Sequence, residues 1–574
     1  MPHREDGHSI EEVPSPLPLP FAALRKTFRD GYGASSLRAD LVAGTVVGIV
    51  ALPLSMALAI ACGVAPQHGL ITAIVAGFLI AISGGSRVQV SGPTAAFVVI
   101  LAPIVTRHGI GGLLTATMLA GLILLAMGML RLGRLIELVP YPVTTGFTAG
   151  IAVVIAFLQT KDFLGLTVEN PPEHFLERVV VIAQALPTMR AADLAVGTGA
   201  LAVLILWQRY GWRRLPAPFV ALALATAVCA FVESMVPGVT FSTIASRFGP
   251  IPQRLPTPLV PWNVPDATGV TAGLSLDTLR SLIPPAFAIA ILGAIESLLS
   301  AVVADGMIRR KHDPNAELLA QGLGNVVAPF FGGIAATGAI ARTATNVRSG
   351  ARSPFAAAFH SIFVLIAVLL TAPLLGRLPM AALAALLLVV AWNMSEARHV
   401  GRMLRTAPRH DVVVLLTCFS MTVIFDMVVA VTAGMLLAAF LFMNRMAEVT
   451  GTTLVAEPHR VLGRVIPDDV LIYEVMGPLF FGAAQRAMRA LRQTDGHAVR
   501  VVVIDLRSVP AIDATGLVHL DSAVGRLVSS GVKVVLGGVR SQPMRALERA
   551  GWMNRADVAV CASFDEAVDL AASR

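Results

Sequence analysis

FGGIAATGAIARTATN, residues 331–346, lies inside a long apolar region, yet glycine, alanine and threonine crowd it and a full charge, Arg342, falls in its middle. A simple membrane span has no use for that charge, because an arginine at the centre of a helix in lipid costs about 3 kcal/mol or more. A second stretch, SGGSRVQVSGPTAAFVV at 83–99, has the same make-up: glycines, a proline and hydroxyls, with apolar residues resuming at Ala95. Interrupted hydrophobic segments at matching places in two halves of a chain point to the binding site of a membrane transporter. The reason is electrostatic. A helix that starts within the membrane leaves its first N–H groups unpaired, and its dipole places about half a positive charge there. Two such N-termini facing each other, with Arg342 beside them, make a site for an anion. Gly-rich helix packing would account for the small residues but not for the arginine.

The rest of the chain fits a polytopic membrane protein. Of 574 residues, 55% are hydrophobic and only 14% charged, and the mean hydropathy is +0.74; an ordinary soluble protein is excluded. The net charge of +8 is no nucleic-acid signal, because the positives gather in short connections between apolar runs. Cys62, Cys229, Cys418 and Cys561 are scattered, with neither metal spacing nor a disulfide framework, so no metal or cofactor is expected. Residues 1–20 are polar and Pro-rich, without the basic and apolar regions of a signal peptide; 1–38 reads as a cytoplasmic tail.

At roughly 20 residues per span, the apolar runs predict helices near 41–62, 68–83, 92–106, 111–131, 138–158, 192–208, 215–232, 282–303, 316–332, 337–346, 353–375, 379–395, 411–425 and 427–444. The third and tenth are too short to cross alone, and each is third in its half of a seven-plus-seven arrangement, as an inverted repeat requires. Arginines and lysines follow the even-numbered spans (Arg131, Arg134, Arg209, Arg213, Arg214, Arg309, Arg310, Lys311, Arg398, Arg402, Arg405, Arg409), whereas the short opposite connections hold Arg107 and Arg377 alone. That bias places both termini in the cytoplasm. Glu296 falls mid-span in PPAFAIAILGAIESLLSAVVAD; burial disfavours its charged form, so it reads as a group whose charge state changes during transport. Ser300 lies one turn later on the same face. Asp426 is the other acid in an apolar region and marks a tight connection or a functional carboxyl.

From about 455 the texture changes. DVLIYEVM (469–476), VRVVVIDL (499–506) and VKVVLGGV (532–539) are strand-length β-branched runs, while 479–493, 514–530 and 541–551 have helical spacing. This alternation predicts a small α/β domain over 455–574. It lacks GxGxxG, GxxxxGK[ST] and any Ser/His/Asp or Cys/His constellation, so binding or regulation is expected there and no enzymatic activity.

These stretches resemble the sulfate-permease (SulP) family of secondary anion transporters. The likeness rests on DLVAGTVVGIVALPLSMALAIACGVAPQHGL (40–70), GGSRVQVSGPTAAFVVILAPI (84–104), GAIESLLSAVVADGM (293–307) and AELLAQGLGNVVAPFFGGIAATGAIARTATNVRSGA (316–351), and VVVIDLRSVPAIDATGL (501–517) resembles a STAS domain. The resemblance implies a polytopic α-helical transport domain, 39–445, of fourteen spans in two inverted repeats with two half-helices, a cytoplasmic STAS domain and a homodimer. It implies an anion site lined by Thr94, Ala95, Ala339, Ile340, Ala341 and Arg342, with Pro53 and Leu54 nearby. Many members carry Gln where this chain has Leu54. Glu296, with Ser300, matches the family's proton- or sodium-coupling position. Asp513 and Thr515 match the STAS loop of anti-sigma-factor antagonists, with Ala514 in place of the phosphorylated serine. SGPTAAFVVILAPI, PPAFAIAILGAIESLLSAVV and LLLVVAWNMSEARHV (386–400) look most like bacterial C4-dicarboxylate members. The expectation is therefore an inner-membrane importer of a succinate-type or similar small anion with protons. Sulfate or bicarbonate uptake (proton- or sodium-coupled), an uncoupled channel or exchanger, and a sensor acting on a cytoplasmic partner through the STAS domain are the alternatives.

Overall fold

The sequence alternates uniformly apolar stretches with Pro- and Gly-marked breaks, and helices form between the breaks. A computed structural model describes residues 20–573 except 137–138, 169–171, 173–174, 213–214, 266–268, 270, 272, 426, 450, 455–465, 468, 481–483, 486 and 488–498. Asp426 and most of the helix expected over 479–493 lie outside the described residues. Contacts divide the chain into two units, Met1–Met435 and Leu436–Arg574.

In the first unit a short helix α1 (Ala22–Arg29) precedes α2 (Ala34–Ala61) and α3 (Pro66–Ser83), which contains a π-helical turn at Thr72–Ala76. The chain then runs extended into β1 (Ser91–Gly92) before α4 (Ala95–Met129), whose helix is broken at Gly109 (φ 64°, ψ −173°). Gly109 separates the expected third and fourth segments: its positive φ is a conformation glycine adopts without a Cβ penalty. There follow α5 (Tyr141–Phe163), α6 (Ala191–Tyr210), α7 (Ala217–Met235), α8 (Leu276–Ile308) and α9 (Pro314–Val327). A second extended piece, β2 (Thr337–Gly338), leads into α10 (Ile340–Arg348), then α11 (Pro354–Gly376), α12 (Met380–Met394) and α13 (Arg409–Ile424), and α14 (Met427–Val449) carries the chain across the division at Met435. With α4 counted as two, α2 to α14 supply fourteen segments at the positions expected from hydropathy. Among the described residues ten helices are each long and apolar enough to cross a membrane; α10, at 9 residues, is about 14 Å long and cannot.

The inverted repeat is visible in the packing. The second half of α4 lies on α9, where a Cβ at Gly121 would meet the backbone of Gly322, Asn325 and Val326, and its Leu124 faces Gly293 of α8. In mirror fashion α11 packs on α2 and α3. Each repeat's fourth segment thus covers the first two of the other, and the two interrupted segments meet between them. There β1 pairs antiparallel with β2, Ser91 opposite Gly338 and Gly92 opposite Thr337. The helices α5, α6, α7, α12 and α13 pack chiefly among themselves.

The second unit holds a five-stranded sheet in the order β3 (Gly451–Leu454), β4 (Val470–Met476), β5 (Val501–Asp505), β6 (Lys533–Gly537), β7 (Val558–Val560), antiparallel at β3 and otherwise parallel. Helices α15 (Ala514–Ser529), α16 (Ser541–Arg549) and α17 (Phe564–Ser573) accompany it. Both faces of β5 are buried, which is why VVVID is continuously apolar rather than alternating.

Candidate anion-binding site

The β1–β2 ladder is two residues long on each side, so side chains must hold it. Most of them come from α9, where Glu317, Gln321 and Asn325 recur every four residues and so share one face. Glu317 accepts the N–H groups of Gly85 (3.0 Å) and Ser86 (3.2 Å), Gln321 donates to Ser91 Oγ (2.9 Å), and the Asn325 amide closes a reciprocal pair with Ala336 N and O (2.8 Å each). One helix face therefore grips both crossing strands. From α8, Ser297 Oγ accepts the Gly338 N–H at 3.0 Å and shares a 2.7 Å bond with Thr337 Oγ1, which in turn donates to Gly293 O. Those that reach Gly85, Ser86, Gly293, Ala336 and Gly338 satisfy backbone polarity that lipid could not.

The crossing aims two helix starts into the same region. Thr94 is the N-cap of α4, in extended conformation, but its hydroxyl makes no capping bond. It donates instead to Glu296 Oε2 on α8, at 3.0 Å. Ala339, the N-cap of α10, has no side-chain acceptor at all. Neither helix caps itself, so the N-terminal N–H groups remain available to a ligand. Arg342 is the one Arg or Lys side chain buried among the described residues, 2% exposed. Its Nη2 donates to Pro93 O, just ahead of α4, while Nε and Nη1 have no partner among the described residues. Gly92 makes that approach possible, since a Cβ there would stand 2.7 Å from Arg342 Nη1.

The expected residues are thus brought together unequally. Thr94, Ala95, Ala339, Arg342 and Glu296 gather at the crossing, with Ala95 and Ala339 buried there. Ile340 and Ala341 point to the exposed face of α10. Pro53 is buried and Leu54 partly buried within α2, which packs on α10. Ser300 does lie one turn from Glu296, but its hydroxyl donates to Thr343 Oγ1 at 3.2 Å; Thr343 also accepts the Val90 N–H, so Ser300 braces α10 against the first strand. In the second unit Asp513 caps α15, its Oδ1 accepting Gly516 N–H at 2.6 Å, with Ala514 exposed and Thr515 half-buried beside it.

Several groups escaped the sequence reading. The Glu317–Gln321–Asn325 face was legible as polar residues at i, i+4 and i+8 in an apolar helix. Gln89, whose amide O and N are both buried without a partner among the described residues, and His360, buried on α11, carry no spacing signal. Among the described residues no cluster of His, Cys, Asp or Glu could hold a metal ion. The geometry brings a buried positive charge beside two helix starts, with a carboxyl bonded to the first of them.

Residues 37–418 match the model of the Sulfate permease family, and 464–567 match that of the STAS domain. The Bacillus subtilis (strain 168) protein YvdB is 39% identical over 92% of this chain and 96% of its own length. The bicarbonate transporter BicA of Picosynechococcus sp. is 27% identical over 90% of this chain and 91% of its own. The structure of murine Solute Carrier 26 family member A9, an anion transporter, superposes with a TM-score of 0.82 over 96% of this chain and 94% of that one; at 18% identity it speaks for the fold. The chain belongs to the sulfate permease family: it is a multi-pass membrane anion transporter with a C-terminal STAS domain, and not an enzyme.

Proposed function

We propose that this family member is a secondary-active transporter that carries a compact oxyanion, sulfate or bicarbonate, inward across the bacterial inner membrane together with protons. Arg342 carries the reading: a buried guanidinium, anchored at one nitrogen and open at two, beside the unpaired starts of α4 and α10. Planar or tetrahedral oxyanions match such a fork. The anion is lined by Thr94, Ala95, Ala339 and Arg342, with Ile340, Ala341, Pro53 and Leu54 along its approach. Arginine placement puts both termini in the cytoplasm. The transport domain occupies 39–445 and works as a homodimer, and the STAS domain, 455–574, regulates it through a cytoplasmic partner at the Asp513–Thr515 loop.

Glu296 is the coupling group. While protonated it leaves Arg342 uncompensated and the recess positive. When ionised it offers Arg342 an internal rival to the substrate. A C4-dicarboxylate is the second reading, favoured by the likeness of 91–104, 284–303 and 386–400 to dicarboxylate members. Against it, Arg342 is the single Arg or Lys buried among the described residues, which leaves the far carboxylate without a second such cation. Radiolabelled sulfate, bicarbonate and succinate uptake into proteoliposomes, with and without a pH gradient, tests both parts. Concentrative uptake of sulfate or bicarbonate, driven by an acidic exterior, is expected. Succinate alone taken up would replace the substrate class, and gradient-independent flux would replace the mechanism with a channel.

A further inference from the structure

The short helix ahead of the first span is built the wrong way round for a helix whose only task is to pack on the protein. In α1 the buried side chains are Ala23 and Thr27, while Phe28 is 59% and Phe21 40% exposed. Arg25 and Arg29 are exposed beside them. Small residues inward, with aromatics and basic groups outward, is the pattern of a helix lying in the plane of a membrane interface. Its location agrees. Four residues separate α1 from α2, and the first turns of α2 already expose Leu37, Leu41 and Val42. At 28 residues, α2 is about 42 Å long, so its first turns lie at headgroup depth. The Phe28 ring packs edge-on to Tyr32 and Phe355, as aromatics at that depth do.

The surroundings are basic. Arg38, Arg309, Arg310, Lys311 and Arg352 are exposed on the elements that flank α1. Asp30, at the end of the helix, is already engaged: Arg310 and Arg87 each donate to its Oδ2 at 2.6 Å. Those hydrogen bonds, Arg310's foremost, hold its carboxyl below the usual carboxylate range. The surface is therefore complementary to anionic phospholipid headgroups. It also touches the stretch that leads to the crossing. Backbone N–H groups of Phe21 and Ala23 donate to Ser83 O (2.9 Å) and Gly84 O (3.2 Å), and Asp30 holds Arg87, all in the stretch that runs into β1.

We propose that α1 is a lipid-recognition surface: it docks anionic phospholipid headgroups of the adjoining leaflet and thereby steadies the 83–92 stretch that forms one side of the crossing. The effect does not depend on which anion is carried.

The protein is reconstituted in phosphatidylcholine alone and with about one quarter phosphatidylglycerol, where initial sulfate uptake should be about threefold faster. The combined variant Arg25→Gln, Lys26→Gln, Arg29→Gln should keep the phosphatidylcholine rate and lose the gain. Lipid contact is read independently of transport. The four native cysteines are buried, so NBD on a Phe21→Cys variant reports from one place and should brighten with phosphatidylglycerol. Equal NBD signals in the two lipids would overturn the proposal, as would a combined variant that retains the gain. So would reproduction of the gain by soluble glycerophosphate, which would make the ligand a free anion rather than a membrane surface.

Discussion

The crossing in the membrane unit and the sheet of the STAS unit both bury charge, and they treat it in opposite ways. In the STAS unit, Asp505 is 2% exposed and fully answered by Arg507, whose Nε and Nη2 reach both its oxygens at 2.8–3.1 Å. The same guanidinium then lies 3.9 Å over the Phe564 ring, tying α17 to the end of β5. At the crossing, Arg342 is equally buried but anchored at one nitrogen, and Gln89 is left with no partner among the described residues. Burying an unanswered polar group costs about 1–3 kcal/mol, more for a charge. A fold that satisfies Asp505 so completely is not short of means to satisfy Arg342. Unspent hydrogen-bonding capacity in the membrane unit is what a ligand can use; the STAS unit has used its own for folding.

The heaviest blow to that contrast is Arg342→Ala. With two charged hydrogen bonds to the anion lost at about 1.5–3 kcal/mol each, affinity should drop by about a hundredfold or more. Arg342→Lys recovers part of it, because an ammonium cannot reproduce the fork. Direct binding of labelled anion to purified protein measures both, and unchanged affinity in Arg342→Ala would move the site elsewhere.

Glu296→Gln should act next most strongly, and on coupling rather than binding. The amide mimics the protonated carboxyl, so counterflow exchange persists while accumulation against a gradient is lost. In the wild type, uptake falls as external pH rises, by up to about tenfold per unit once the protonated form is the minority; Glu296→Gln flattens that profile. A Glu296→Gln protein that still concentrates anion under a proton gradient would end the coupling role.

Gly92→Ala sharpens the comparison by crowding the guanidinium without removing it. The added methyl would stand 2.7 Å from Arg342 Nη1, and a displacement worth about 1 kcal/mol raises the half-saturation concentration about fivefold. Gly92 also has φ 157°, where a side chain strains the backbone, so the yield of folded protein should fall somewhat and affinity is measured on the folded fraction. A variant with wild-type affinity would place the anion away from Nη1.

The smallest effect is expected in the STAS unit. Asp513→Ala removes the cap on α15, worth about 1 kcal/mol of stability to that unit. Thermal unfolding should record it, while substrate preference in proteoliposomes stays as it was. Altered preference would show that the α15 cap reports to the membrane site.

Much of this architecture could be read before any coordinates. Hydropathy and glycine content located the apolar helices seen among the described residues, because lipid forces every span to satisfy its own backbone and so leaves little choice of conformation. It failed where a residue's partner lies on another helix. Ser300 shares a face with Glu296, and spacing alone assigned it there; its bond to Thr343 depends on α10 crossing α8, which no local pattern records. The Glu317–Gln321–Asn325 face is the opposite case: its period of four is in the sequence, and only the strands it grips lie elsewhere in the chain. In the STAS unit β7 is three residues long, below the length at which alternation can be recognised.

The antiparallel pairing of Ser91 with Gly338 also has a consequence for synthesis. Roughly 250 residues separate the partners, which at 5–20 residues per second is about 10–50 s of translation. Throughout that interval the start of α4 exists without β2 and without Arg342. Glu317, Gln321 and Glu296 arrive earlier in the chain than β2, and so can quiet the first strand before its partner emerges. The first repeat must therefore wait in the bilayer as an unfinished object, and the last step of its folding is dictated by the second.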